Sequence, residues 1–162
     1  AVQYYLRSQD VFWPTVSLTG VASTQVGGST VHSFLMLGAD GLCRSLHAKD
    51  FKERMRQISG LIVDEGMMAE EDLMFKLSEI LRQIPLNPEL RRSRDALRIW
   101  GYRDLFLCGD IRQLPPGSGR PPFWSTGSFR NLFEVFLLKE DRRHEKDPDM
   151  RKIGRASCRE RG

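Results

Sequence analysis

Gly60-Leu61-Ile62-Val63 reads as the core of a buried strand, and it runs straight into two acids, Asp64 and Glu65. A carboxylate drawn into an apolar interior costs several kcal/mol unless it is paired, protonated or metal-bound. The chain must therefore bring this strand end to an edge where the acids meet solvent or a ligand. Taken alone, the pair reads equally as a strand end reaching water or as the acidic start of a helix.

The flanking pattern favours one architecture. "TVSLTGVAS" has strand composition and breaks at "VGGST", where Gly27-Gly28 marks a tight turn. From Ser45 to Ile58 the apolar residues Leu46, Phe51, Met55 and Ile58 are spaced for one helix face. The spacing of Leu73, Leu77, Ile80, Leu81 and Ile84 predicts a helix over 70–84, broken by Pro85 and Pro88. "RDLFLCGD" (103–110) is a second short apolar strand ending in an acid, with Arg112 and Gln113 following Asp110. "FEVFLL" (133–138) is a further strand candidate, and "AVQYYLRSQ" reads as the end of a helix. Strands alternating with helices predict an α/β fold with a mainly parallel sheet, whose ligands sit beyond the carboxyl ends of the strands.

Composition adds bounds. At 162 residues and 40% hydrophobic content the chain can bury one core. A formal charge of +4 does not by itself indicate a nucleic-acid partner. No run of about 18 apolar residues suggests a membrane span, and no signal peptide is visible. Cys43, Cys108 and Cys158 fit neither a metal spacing nor a disulfide framework, as suits a reducing compartment. The last ten residues, "IGRASCRERG", lack apolar periodicity and resemble a sequencing adapter translated in one frame. Residues 153–162 are therefore expected to be artefact, leaving 1–152 as one incomplete domain. Half of the formal charge lies in that tail, which carries Arg155, Arg159 and Arg161 against Glu160.

Four strings together carry a resemblance. They are "LTGVASTQVGGSTVHSF" (18–34), "LIVDEGMM" (61–68) and "GDIRQLPP" (109–116), followed by "LKEDRRHEKD" (138–147). In order and spacing they resemble superfamily 1 DNA helicases of the Pif/RecD type, whose pattern is TG-x-AA-x-x-IGG-x-T-x-HSF, DE-x-SM, GDF-x-QLPPV and L-x-x-x-x-RQ-x-x-D. The resemblance covers about residues 16–147 and implies a RecA-like P-loop motor domain that couples ATP hydrolysis to DNA unwinding, 5′ to 3′. By that resemblance Asp64 and Glu65 hold Mg²⁺ and position the attacking water. Gln113 senses the γ-phosphate of ATP, and Arg143 is an arginine finger. Arg143 reads equally as a solvated member of the charged run 139–147, and Arg142 beside it leaves the register open.

Thr19, His32 and Ser33 match positions that contact single-stranded DNA, where hydroxyls and an imidazole position a phosphate backbone without reading sequence. His32 also reads as a surface histidine and Gly27-Gly28 as a hairpin turn. Trp13, Trp100 and Trp124 read as base-stacking platforms or, more simply, as core and loop anchors.

The implied partners are single-stranded DNA and DNA junctions, with no membrane and no obligate protein partner. The implied roles are DNA repair, recombination and telomere maintenance, in the nucleus or mitochondrion of a eukaryote. There are departures. No G-x-x-x-x-G-K-[ST] loop occurs, and it is expected upstream of Ala1. Met67 stands where the pattern has Ser, and Gly66 and "PPGSG" also depart. A non-enzymatic helicase remnant that at most binds nucleic acid is the competing reading.

Overall fold

The computed structural model describes residues 5, 6, 8, 12–86, 99–112 and 116–138. It divides into a main unit, Ala1–Asn131, and a second unit, Leu132–Gly162. In the main unit the order is β1 (Thr15–Ser17), α1 (Gly20–Gln25), β2 (Ser29–Thr30), α2 (Val31–Phe34), α3 (Lys49–Arg56), β3 (Gly60–Asp64), α4 (Glu71–Gln83), β4 (Asp104–Leu107) and α5 (Gly127–Leu132). The strands form one sheet in the order β2-β1-β3-β4, and every pairing is parallel. The parallel α/β expectation holds. Because β1 and β2 run in the same direction, Gly27-Gly28 closes a helical crossover and not a hairpin.

The strand predicted from "TVSLTGVAS" is only three residues long, and the rest becomes helix α1. The cause is local: Thr19 is extended and its hydroxyl oxygen accepts from the Ala22 N–H at 3.2 Å, starting a helix where β-branched composition suggested more strand. Thr30 starts α2 the same way, accepting from Ser33 N–H at 3.1 Å. Between them, a Cβ on Gly28 would collide with the Thr15 carbonyl, so only glycine lets the chain return this close to β1.

Apolar periodicity predicted α3 and α4 well. Phe51, Met55 and Ile58 are buried, as are Leu77, Ile80, Leu81 and Ile84. The buried face of α4 is shifted, with Met74 in the core and Leu73 half-buried. Trp100 is core, its backbone N–H donating to Ser78 Oγ at 3.4 Å, and Trp13 lies against Gly60.

In the second unit the described residues 133–138 form no strand, and Val135, Phe136, Leu137 and Leu138 are exposed. The strand expected there is corrected. Strand composition becomes a strand only within a ladder, and the described residues 133–138 belong to none.

Arg103, 4% exposed, sits at the opposite, amino end of the sheet. Its Nε donates to the Ile58 carbonyl at 2.9 Å and Nη2 to Met55 O at 2.7 Å. Nη1 donates to Leu81 O at 3.3 Å and Gly101 O at 3.2 Å. Met55 and Leu81 lie in the last turns of α3 and α4, whose final carbonyls have no partner inside their own helices. Burial pulls the guanidinium pKa down to about 10, which leaves it charged at neutral pH. Arg103→Ala removes four buried hydrogen bonds, although Met55, Leu81 and Gly101 O each keep one backbone N–H donor, and at roughly 1 kcal/mol per bond it is expected to cost about 3–5 kcal/mol in urea unfolding. Arg103→Lys should recover only part, since an ammonium cannot span the planar fork. A lysine variant as stable as the parent would show that charge alone is needed.

Candidate functional site

The carboxyl edge of the sheet is assembled by register. Ser17 pairs with Asp64 across β1 and β3, and Val63 pairs with Leu107 across β3 and β4. In-register residues of parallel strands point to the same face, so Ser17, Asp64 and Cys108 form a row across three strands. The Cys108 thiol donates to Asp64 Oδ1 and to the Val63 carbonyl, both at 3.6 Å. Burial first, then the charge of Asp64 and the hydrogen bond to it, push the thiol pKa up to about 11.

Glu65 leaves the strand with φ 53° and ψ 27°, a left-handed conformation that costs a non-glycine residue about 1–2 kcal/mol. The kink is clamped from both sides. Gly66 N–H donates to the Cys108 carbonyl at 2.8 Å and Cys108 N–H to Val63 O at 3.0 Å. A Cβ on Gly66 would collide with the Leu107 side chain. Asp64 and Glu65 both stay partly exposed, so the acids predicted from sequence do stand together at an accessible edge. At the end of the neighbouring strand, Asp110 accepts from Arg112 N–H at 2.9 Å and from its Nε at 3.1 Å. Those bonds hold the Asp110 carboxyl below the usual carboxylate range.

A separate open cavity of ≈360 Å³ is lined by Thr19, His32, Glu70, Lys76 and Arg120 among others. Thr19 and His32 thus line one cavity. Ser33 is exposed on α2 but is not part of this lining, and neither are Asp64 and Glu65. Arg120 is held by Asp72 in a close ion pair and by Glu70 at 3.9 Å. Thr19 spends an oxygen lone pair on its helix cap, and its hydroxyl proton remains available to an outside acceptor. Gln113 and Arg143 lie outside the described residues.

Sequence reasoning missed Ser17, Cys108, Lys76 and Arg120. The first two were in principle recoverable, because aligning the carboxyl ends of three parallel strands sets them beside Asp64. The cationic residues come from a helix and a distant loop, with no local signal.

An all-parallel sheet presenting paired acids at its carboxyl edge, beside a hydroxyl- and imidazole-lined cavity, is the arrangement of a RecA-like α/β motor domain. Solved structures agree. Pif1 helicase from Candida albicans superposes with a TM-score of 0.73 at 25% identity, covering 94% of this chain and 35% of that one. Bacteroides Pif1 bound to ssDNA shares the fold at a TM-score of 0.56 and 19% identity, covering 81% of this chain and 28% of its own. In sequence, the ATP-dependent DNA helicase PIF1 of Rattus norvegicus is 32% identical over 128 residues, which is 74% of this chain and 19% of the relative. Residues 1–129 match the PIF1-like helicase family. The chain belongs to that family, and it spans about a fifth of the length of the rat relative.

The raised thiol pKa gives a pH signature in metal-free protein. A group whose folded pKa lies above its ordinary value, here about 11 against 9.0, contributes stability that is complete below pH 9 and lost as pH rises through 11. Cys108→Ala should flatten the fall in Tm over that window. Asp64→Asn should lower the pH at which Cys108 is alkylated by iodoacetamide; an unchanged alkylation profile would show that the carboxylate does not act on the thiol.

Proposed function

We propose that this chain is the ATPase-core fragment of an ATP-dependent DNA helicase that couples hydrolysis to 5′-to-3′ unwinding of duplex DNA. The observation that carries the reading is the acid pair at the end of β3, with Glu65 held in a strained turn at the carboxyl edge of the sheet. Strain at such a point is sustained when the surrounding structure fixes a residue for use.

The donor set fits Mg²⁺. Asp64 offers hard carboxylate oxygens at a partly exposed edge, and the adjacent Cys108 stays a protonated thiol at neutral pH rather than a competing thiolate. When bound, the ion neutralises charge developing on the transferred phosphoryl group. Asp64 is the residue to hold it. Glu65 orients the hydrolytic water and accepts its proton. Gln113 and Arg143 carry the γ-phosphate-sensing and charge-neutralising roles that the family resemblance assigns them. Thr19, His32 and Ser33 present hydroxyl and imidazole donors to the phosphates of single-stranded DNA, and the cavity that Thr19 and His32 share supports this reading. Junction binding and a part in repair, recombination or telomere maintenance rest on the same resemblance.

The test begins by extending the transcript on both sides of this chain and expressing the full-length protein. ATPase activity stimulated by single-stranded DNA is expected, and Glu65→Gln should lower kcat by about 10²–10⁴-fold while leaving DNA binding intact. Thr19→Ala combined with His32→Ala should weaken single-stranded DNA binding by about tenfold, the loss of two ordinary hydrogen bonds. Binding of DNA with no ATPase in the parent protein would reject the helicase and identify a non-enzymatic remnant.

A further inference from the structure

Ser17 is completely buried, and its hydroxyl has no hydrogen-bond partner among the described residues. Buried hydroxyls are almost always satisfied, so one left without a partner calls for an explanation. Its position supplies one. Ser17 is the last residue of β1 and the register partner of Asp64, on the same face of the sheet. On the far side of Asp64, the Cys108 thiol donates to Oδ1. The carboxylate therefore has a weak sulfur donor on one flank and an unused hydroxyl donor on the other.

We infer that Ser17 is a positioning residue for Asp64, its hydroxyl donating to the carboxylate when that acid carries a divalent cation. This rests on the reading of Asp64 as the cation-holding residue. Ligating carboxylates are themselves oriented by hydrogen bonds, and those outer partners strongly affect metal affinity. A cation draws electron density from one carboxylate oxygen and fixes the group's rotation, so a donor on the strand beside it selects the productive orientation. In metal-free protein the same hydroxyl has no partner among the described residues. Ser17 thus works against the stability of the empty site and in favour of the loaded one.

Those opposite signs make the inference testable in the full-length protein. The readouts are Mn²⁺ binding in the presence of ADP, followed by electron paramagnetic resonance, and the Tm of metal-free protein. Ser17→Ala is expected to weaken Mn²⁺ binding about tenfold while leaving the metal-free Tm unchanged or higher. Asp64→Asn is the reference, expected to abolish the bound signal. If Asp64→Asn loses Mn²⁺ but Ser17→Ala binds it like the parent, the hydroxyl is idle and the inference fails alone. If Asp64→Asn still binds, the assignment of Asp64 fails and takes the inference with it. A metal-free Tm lowered by Ser17→Ala would mean that the hydroxyl has a structural partner in the empty protein, which also overturns it.

Discussion

The main unit depends on one buried guanidinium. Arg103 gathers carbonyls from the last turns of α3 and α4, from Ile58 ahead of β3 and from Gly101 ahead of β4. They lie where helices end and strands begin; Met55, Leu81 and Gly101 O each accept only one backbone N–H besides the guanidinium, which takes up acceptor capacity that a regular ladder would otherwise fill. A planar cation with five donors can serve all four at once, where neutral side chains would have to be placed one by one. The charge also opposes the negative ends of two helix dipoles. Fixing α3, α4, β3 and β4 at one end sets the register with which their other ends emerge.

That register is what the carboxyl edge requires. Asp64 has Ser17 on one side and Cys108 on the other only because β1, β3 and β4 are parallel and aligned to the residue. A slip by one position would turn Asp64 into the opposite face and bury Glu65's neighbours differently. Beyond the strand, the left-handed turn at Glu65 is held by Gly66 N–H on the Cys108 carbonyl, so the second acid is anchored through β4 as well. Strain of about 1–2 kcal/mol at one residue is small beside the apolar burial of Leu61, Ile62 and Val63 directly before it.

The acid edge and the Thr19–His32 cavity are separate surfaces of one small sheet, and they share a backbone. Ser17 ends β1 beside Asp64, and Thr19, two residues later, caps α1 and lines the cavity. Glu65 begins the turn whose continuation reaches Met68 and Glu70, which line the same cavity. These two short connections are hydrogen-bonded, by the Thr19 cap on Ala22 N–H and by Met68 N–H on the Glu65 carbonyl.

Much of this was legible in the residues. The alternation of apolar strands with amphipathic helices specified a parallel sheet, because a strand followed by a helix can rejoin the sheet only by a crossover. An apolar run ending in two acids located the edge, since carboxylates cannot follow Val63 into the core. The face of α4 was read to within one residue, as Met74 replaced Leu73. Local chemistry also misled. Thr19 looks like a strand former but caps a helix, because a side-chain oxygen near free N–H groups outweighs β propensity. "FEVFLL" has the composition of a strand, but the described residues 133–138 form none and Val135 to Leu138 are exposed. Arg103 reads as the polar start of a strand, and nothing within ten residues hints that its acceptors lie at Met55, Ile58 and Leu81. Periodicity along a chain states which face of an element turns inward. Which polar groups then meet, Ser17 with Asp64 and Cys108, or Arg103 with two helix ends, follows from pairings between segments far apart in sequence, and that is set when the whole sheet closes on its core.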